Sequence, residues 1–242
     1  MDHSYLYSTR IQNTFDEDQA EILFIFKKEL AKCPKFKITL INYYNGLPVS
    51  CPAHIVGIEK DMIDVDVAPY QAYTMGDHHY TFIRSDVLKH DVYAHVQYVN
   101  VDRRAASLRK LCYVEIMAER RNYIRLTLGK PQAATFKTKE GRAKGKLVEI
   151  SINGACIEVD SPCSLAIGEE TSLTFMLHNP AQNVDYTMNT HATLVAIDEE
   201  PLPQRYRFIT DPDKILDRTI AKYLLQRQIE ILQEIKTATE RG

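Results

Sequence analysis

Apolar and polar positions alternate along this chain in two different rhythms. Near the start, Ile22, Leu23, Phe26 and Leu30 recur at helical spacing opposite Asp16, Glu17, Lys27 and Glu29, which predicts a helix over 16–33. After Cys33-Pro34 the rhythm shortens. Residues 37–41, 54–58, 62–67, 80–83 and 92–99 read as strands rich in Ile, Val, Tyr and Phe, with Leu111 to Met117 as the last of that series. Asn45-Gly46 and Glu59-Lys60-Asp61 punctuate them as turns. Many short strands with no helix between them favour an antiparallel barrel or sandwich.

A second strand series follows. Ala155, Ile157 and Val159 share one face of a run, as do Leu173, Phe175 and Leu177, and again Tyr206 and Phe208. Pro162 and Gly168 mark a loop. Asp211-Pro212-Asp213 stops the sheet and caps a helix from about 213 to 238, whose apolar stripe is Leu216, Ile220, Leu224, Ile231 and Ile235. That stripe is expected to pack on the chain's own barrel, with self-association into a homodimer as its alternative use. Arg218, Lys222 and Arg227 on the flanks read as a solvated face. The expectation is a mainly β chain of two domains, 1–118 and 119–242, meeting near residues 117–121.

The 45% hydrophobic and 26% charged content suits a soluble globular chain, and a net charge of -2 provides no global field for a polyanion or a membrane. The local balance differs. From Arg103 to Lys146 there are thirteen Lys or Arg against three Glu, which points to a local anionic ligand. Five cysteines without CxxC pairing read as thiols in a reducing compartment. The polar N-terminus lacks a signal-peptide pattern, and no apolar run approaches the ~20 residues of a membrane span. A cytoplasmic protein is expected.

The chemistry concentrates in Arg120-Arg121-Asn122-Tyr123-Ile124-Arg125, just before a strand, and in the later stretch Glu149-Ile150-Ser151-Ile152-Asn153-Gly154. Guanidinium groups grip phosphate oxygens and the N7/O6 edge of guanine bidentately, which lysine cannot do. In the second stretch one strand runs into a tight turn and another leaves it. There Ser151 can bond a phosphate or a base edge, Asn153 is an ordinary turn residue, and Gly154 can adopt positive φ and let backbone N–H groups approach a ligand. Each motif alone also fits a bland reading, a solvated arginine linker and an empty β-turn.

Together the motifs resemble the signature of the PilZ family, RxxxR followed by (D/N)xSxxG. Arg121 and Arg125 match its arginines, and Ser151 and Gly154 its Ser and Gly. The resemblance covers roughly residues 119 to 238. It implies a six-stranded antiparallel barrel with a trailing α-helix, hence two β-barrel domains, and binding of the bacterial second messenger cyclic di-GMP. It implies no catalysis and no cofactor. The RxxxR segment would wrap over the ligand, and an arginine at the place of Arg120 accompanies a stacked pair of ligand molecules in some two-domain members. Glu149 stands where the family usually carries Asp or Asn. The N-terminal half, through Tyr43-Tyr44-Asn45-Gly46-Leu47-Pro48, resembles the barrel that precedes PilZ in flagellar-brake-like proteins. That architecture implies signalling by domain rearrangement to a protein effector of the flagellar motor or surface-behaviour machinery.

Two other readings compete. A ligand-free PilZ adaptor would bind only proteins. A nucleic-acid-binding barrel would interleave exposed aromatics with the arginines, and only Tyr113 and Tyr123 qualify, so no nucleic-acid partner is expected. The chain lacks HExxH, GxxxxGK[ST], GxGxxG and GxSxG, so neither a metal site nor an enzyme is expected.

Overall fold

The computed structural model describes residues 4–179, 184–198, 202–211 and 213–240. The chain forms two compact units. Met1–Tyr44, Pro48–Asn122 and Leu232–Gly242 make the first, and Asn45–Leu47 with Tyr123–Ile231 make the second.

In the first unit, β1 (Tyr7–Thr9) precedes α1 (Phe15–Lys32). The Thr14 hydroxyl accepts from the Glu17 N–H at 3.3 Å, satisfying one of the donors a helix start leaves open, and donates to the Glu17 carboxylate at 2.9 Å. Next come β2 (Phe36–Tyr44), β3 (Leu47–Glu59), β4 (Met62–Asp66), α2 (Pro69–His78), β5 (Tyr80–Arg84), β6 (Asp91–Asn100) and β7 (Ala105–Ile116). The strand order is β1-β7-β4-β3-β2-β5-β6. Because β6 also pairs with β7, six strands close into a barrel, and β1 hangs on the end of β7. Ile38, Leu40, Ile55, Ile63, Val92, Val96 and Leu108 fill its core, with Ile22 and Phe26 of α1 packed into the same cluster. Leu30 of the expected α1 stripe is only partly buried.

Two expectations need correction here. α2 interrupts the strand series. Its Tyr, Thr and Gly residues are poor helix formers, and tertiary burial of Gln71, Ala72, Thr74 and Met75 outweighs that propensity. Pro69 at its first turn and left-handed His79 at its end bound it. The strand expected at Leu111–Met117 is the second half of β7, which begins six residues earlier. Met117 opens a short 3-10 turn ending at Arg120.

The second unit contains β8 (Leu126–Thr138), β9 (Gly141–Ser151), β10 (Gly154–Val159), β11 (Glu170–Asn179), β12 (Val184–Asp198) and β13 (Gln204–Asp211); α3 (Lys214–Glu240) follows, belonging to this unit as far as Ile231 and to the first from Leu232 on. The six strands close in the order β10-β13-β12-β11-β8-β9, all antiparallel. The inward faces are those the alternation predicts: Ala155, Ile157, Val159, Leu173, Phe175, Leu177, Tyr206 and Phe208 are all buried. Leu216, Ile220, Leu224, Ile231 and Ile235 of α3 are buried as expected. Asp213 caps α3, accepting from the N–H groups of Ile215 and Leu216 at 2.9 and 2.8 Å. Pro212 lies outside the described residues. No described helix is long and apolar enough to cross a membrane.

Arg227 corrects a further expectation. It is 5% exposed rather than solvated. The β8–β9 register breaks between Thr127 and Gln132, around Gly129 and Pro131, where a proline cannot donate to a ladder. The Arg227 guanidinium fills that irregularity. It lies 3.3–3.4 Å from where a Cβ on Gly129 would stand, and its Nε donates to the Thr127 carbonyl at 3.2 Å.

Candidate functional site

Ladder geometry in the second unit gathers five of the seven predicted site residues. Leu126 pairs with Ile150 and Thr127 with Glu149 across β8 and β9, so Arg125, one residue earlier, stands level with Ser151. Ser151 pairs with Gly154 across the Ile152-Asn153 turn, and the Asn153 carbonyl accepts from the Thr210 N–H at 3.0 Å. Arg125, Glu149, Ser151, Asn153 and Gly154 therefore meet at one corner of the barrel.

Each has a definite setting. Arg125 is half-buried, and among the described residues its guanidinium has no ion pair or hydrogen bond. Ser151 is buried, its hydroxyl donating long bonds to the Asn153 side chain at 3.5 Å and the Gly154 carbonyl at 3.4 Å. Bonds that long are weak, so the hydroxyl can turn to a better acceptor at little cost. Asn153 is exposed.

Gly154 does not use the positive φ open to a glycine, and neither Ile152 nor Asn153 is left-handed. The reason for glycine here is space, because a Cβ would lie 3.0 Å from the Ser151 hydroxyl oxygen and 3.2 Å from the Phe208 carbonyl oxygen.

Glu149 faces Arg207, with their charged atoms 3.6 Å apart and only 14% of the Glu149 side chain exposed. Arg207 also holds Asp198 at 2.6 Å, and two residues away on the same face Arg205 binds Glu158 at 2.9 Å. Burial would lower the Arg207 pKa, but its hydrogen bond to Asp198 and the neighbouring negative charges keep it raised. Cys156, paired across the strands with both Glu149 and Arg207, has its thiol pushed up to about 12, first by burial and then by the Glu149 charge. Arg207 is the residue that motif reasoning missed. The alternation that turns Tyr206 and Phe208 inward also turns Arg205 and Arg207 outward, so the signal was present.

Arg120 and Arg121 are described with the first unit. The Arg120 guanidinium is 64% exposed and 3.5 Å from Glu115. It lines a cavity of about 750 Å³ together with Arg10, Arg84, Lys89, Glu115 and Glu119. The charges there are largely matched within the wall: Arg10 pairs with Glu115, and Arg84 with Asp91 and Glu119 at 2.6 and 2.7 Å. Arg121 donates to the Tyr5 carbonyl at 3.4 Å. The described residues contain no group of three or more His, Cys, Asp or Glu that could hold a metal.

The backbone entering β8 is pinned as well. The Thr127 N–H donates to the Asn45 carbonyl at 3.0 Å, while the Thr127 carbonyl accepts from Arg227. Asn45 and Gly46 both lie at positive φ, 50° and 81°, the pair a tight hairpin turn of the primed kind requires.

The second unit is thus a closed six-stranded barrel whose unpaired arginine precedes the first strand and stands level with a Glu-x-Ser-x-x-Gly turn. Residues 119–226 match the family model of the PilZ domain. Among solved structures, the chain is similar to YcgR from Escherichia coli in complex with c-di-GMP, at 13% identity and a TM-score of 0.45, covering 98% of this chain and 99% of that one. It is similar to the Bacillus subtilis inhibitor of motility MotI at 13% identity and a TM-score of 0.42, covering 81% and 97% of the two chains. It is also similar to the K. pneumonia MrkH–c-di-GMP complex at 15% identity and a TM-score of 0.41, covering 89% and 96%. No curated protein matches the chain.

Proposed function

We propose that this protein is a non-catalytic receptor for cyclic di-GMP. The observation that carries this reading is the unpaired Arg125 level with Ser151 inside a segment matching the PilZ domain. A guanidinium with no partner of its own can fork onto a phosphate or onto the N7/O6 edge of guanine without first breaking an ion pair. Ser151 offers a hydroxyl whose present bonds are weak, Gly154 keeps the turn clear of a side chain, and exposed Asn153 adds an amide. Glu149 accepts from a guanine N–H, its carboxylate oriented by Arg207. Arg121 contributes the first arginine of RxxxR, and Arg120 serves a second, stacked ligand molecule. The chain is organised as domains 1–118 and 119–242, acts in the cytoplasm, and passes the signal by domain rearrangement to a protein effector in motility or surface behaviour.

Isothermal titration with cyclic di-GMP tests the reading, with Arg125→Ala alongside wild type. One bidentate arginine contact is worth about 1–3 kcal/mol, so the variant binds roughly 5- to 150-fold more weakly. Its folding is unchanged, because no partner of Arg125 among the described residues is left behind. A well-folded wild type that takes up no ligand sinks the proposal and leaves a second reading, a PilZ-shaped protein adaptor. The contact between Glu149 and Arg207 is the observation that favours this second reading, since it already occupies the acidic residue of the turn.

A further inference from the structure

Building on the receptor reading, we propose that Gly46 is a positioning residue for the ligand. It lies outside the PilZ motifs, yet it fixes the peptide that carries Arg125. Asn45–Leu47 belong to the same compact unit as Tyr123–Ile231. A Cβ built on Gly46 would lie 1.9 Å from the Arg125 carbonyl oxygen, 3.0 Å from its carbonyl carbon and 3.2 Å from the Leu126 Cα. All three are backbone atoms, so no flexible side chain can yield. The φ of +81° at Gly46 independently disfavours any other residue. Two residues on, the Thr127 N–H is tied to the Asn45 carbonyl at 3.0 Å.

The turn therefore grips the chain on both sides of Leu126, at the Arg125 carbonyl and the Thr127 amide. Among the described residues Arg125 itself has no side-chain partner to hold it. Its direction is set by its own backbone, and that backbone is set by the glycine. A methyl group at position 46 must displace the Arg125 peptide. Because ligand geometry tolerates only small errors in placement, the displacement reaches the guanidinium as lost affinity.

The test is a double-mutant cycle read by titration with cyclic di-GMP: wild type, Gly46→Ala, Arg125→Ala and the double variant. Gly46→Ala alone is expected to weaken binding by about 10-fold or more, and by less than about 2-fold once Arg125 is gone, as coupled neighbours do. Equal losses in both backgrounds indicate general damage and overturn the inference, as does a Gly46→Ala that binds like wild type. In either case wild-type binding weakened by Arg125→Ala leaves the receptor reading standing. A wild type that binds nothing removes both. Should Gly46→Ala fail to fold, amide exchange in the wild-type protein decides. Linkage requires a ligand gripped by Arg125 to stabilise the docked turn, so the Thr127 amide exchanges more slowly with ligand than without. Unchanged exchange at Thr127, with ligand bound, overturns the proposal.

Discussion

Replacing Arg227 by alanine is expected to destabilise the barrel of the second unit substantially: three residues after Leu224 and four before Ile231, it lies on the buried stripe of α3 and not on the exposed flank of Arg218 and Lys222. The side chain is 5% exposed, donates to the Thr127 carbonyl at 3.2 Å and lies 3.3 Å from Glu230. A hydrogen bond from a charged donor to a buried carbonyl is worth about 1.5–3 kcal/mol. Removing two buried methylenes beyond the Cβ adds roughly 1.6 kcal/mol. Relief from holding a buried cation offsets part of this, leaving a net loss of about 2–3 kcal/mol. Arg227→Met retains the stem and separates the terms, so it should recover roughly 1–1.5 kcal/mol. Urea unfolding followed by far-UV circular dichroism measures both, with the transition midpoint compared at constant slope. A loss below about 0.5 kcal/mol for Arg227→Ala would refute the view that this guanidinium fills the break in β8.

Two further outcomes follow from geometry elsewhere in the chain. Gly145→Ala places a methyl 2.4 Å from the Glu158 carbonyl oxygen and 2.7 Å from an Ile157 methyl, so overpacking should cost about 1–3 kcal/mol in the same urea titration. Gly57→Ala, whose nearest neighbour would be a side-chain oxygen at 3.9 Å, is its control in the first unit and should change stability by under about 0.5 kcal/mol. Among the thiols, Cys33 is exposed, whereas Cys156 is buried with its pKa pushed up to about 12. A raised thiol pKa keeps the unreactive protonated form. Peptide mapping after iodoacetamide treatment should find Cys33 labelled first and Cys156 last, and early Cys156 labelling would contradict the packing of Glu149 and Arg207 around it.

What the sequence revealed depended on how local the signal was. The two strand series with regular alternation, such as Ala155–Val159 and Leu173–Leu177, were legible because burial on one face leaves a period of two. The stripe of α3 was legible for the equivalent helical reason. α2 was not, since Tyr70, Thr74 and Gly76 argue against a helix and only tertiary burial stabilises it. The motif residues Arg125, Glu149, Ser151 and Gly154 could be found by type and spacing, but the physical reason for Gly154 was misread. Glycine is required there by the Phe208 carbonyl and the Ser151 hydroxyl, atoms that register brings near. The same limit hid the grip of Gly46 on the Arg125 peptide, whereas Arg227 was legible from its spacing, three residues after Leu224 and four before Ile231 on the apolar stripe, and its charge alone led to the solvated-face reading. Asn45-Gly46 announces a turn, but nothing within a few residues of it says which strand the turn will meet.

The closure of the strands restricts how another protein can recognise this one. In the second unit every strand has two neighbours, and in the first only β1, three residues long and paired on one side, presents an open hydrogen-bonding edge among the described residues. A sheet without edges gives a foreign strand nothing to add to. Any protein that docks must read side chains, turns or the exposed flank of a helix, contacts whose specificity depends on residue identity. A partner that recognises side chains can be lost or exchanged by a few surface substitutions while both barrels stay intact.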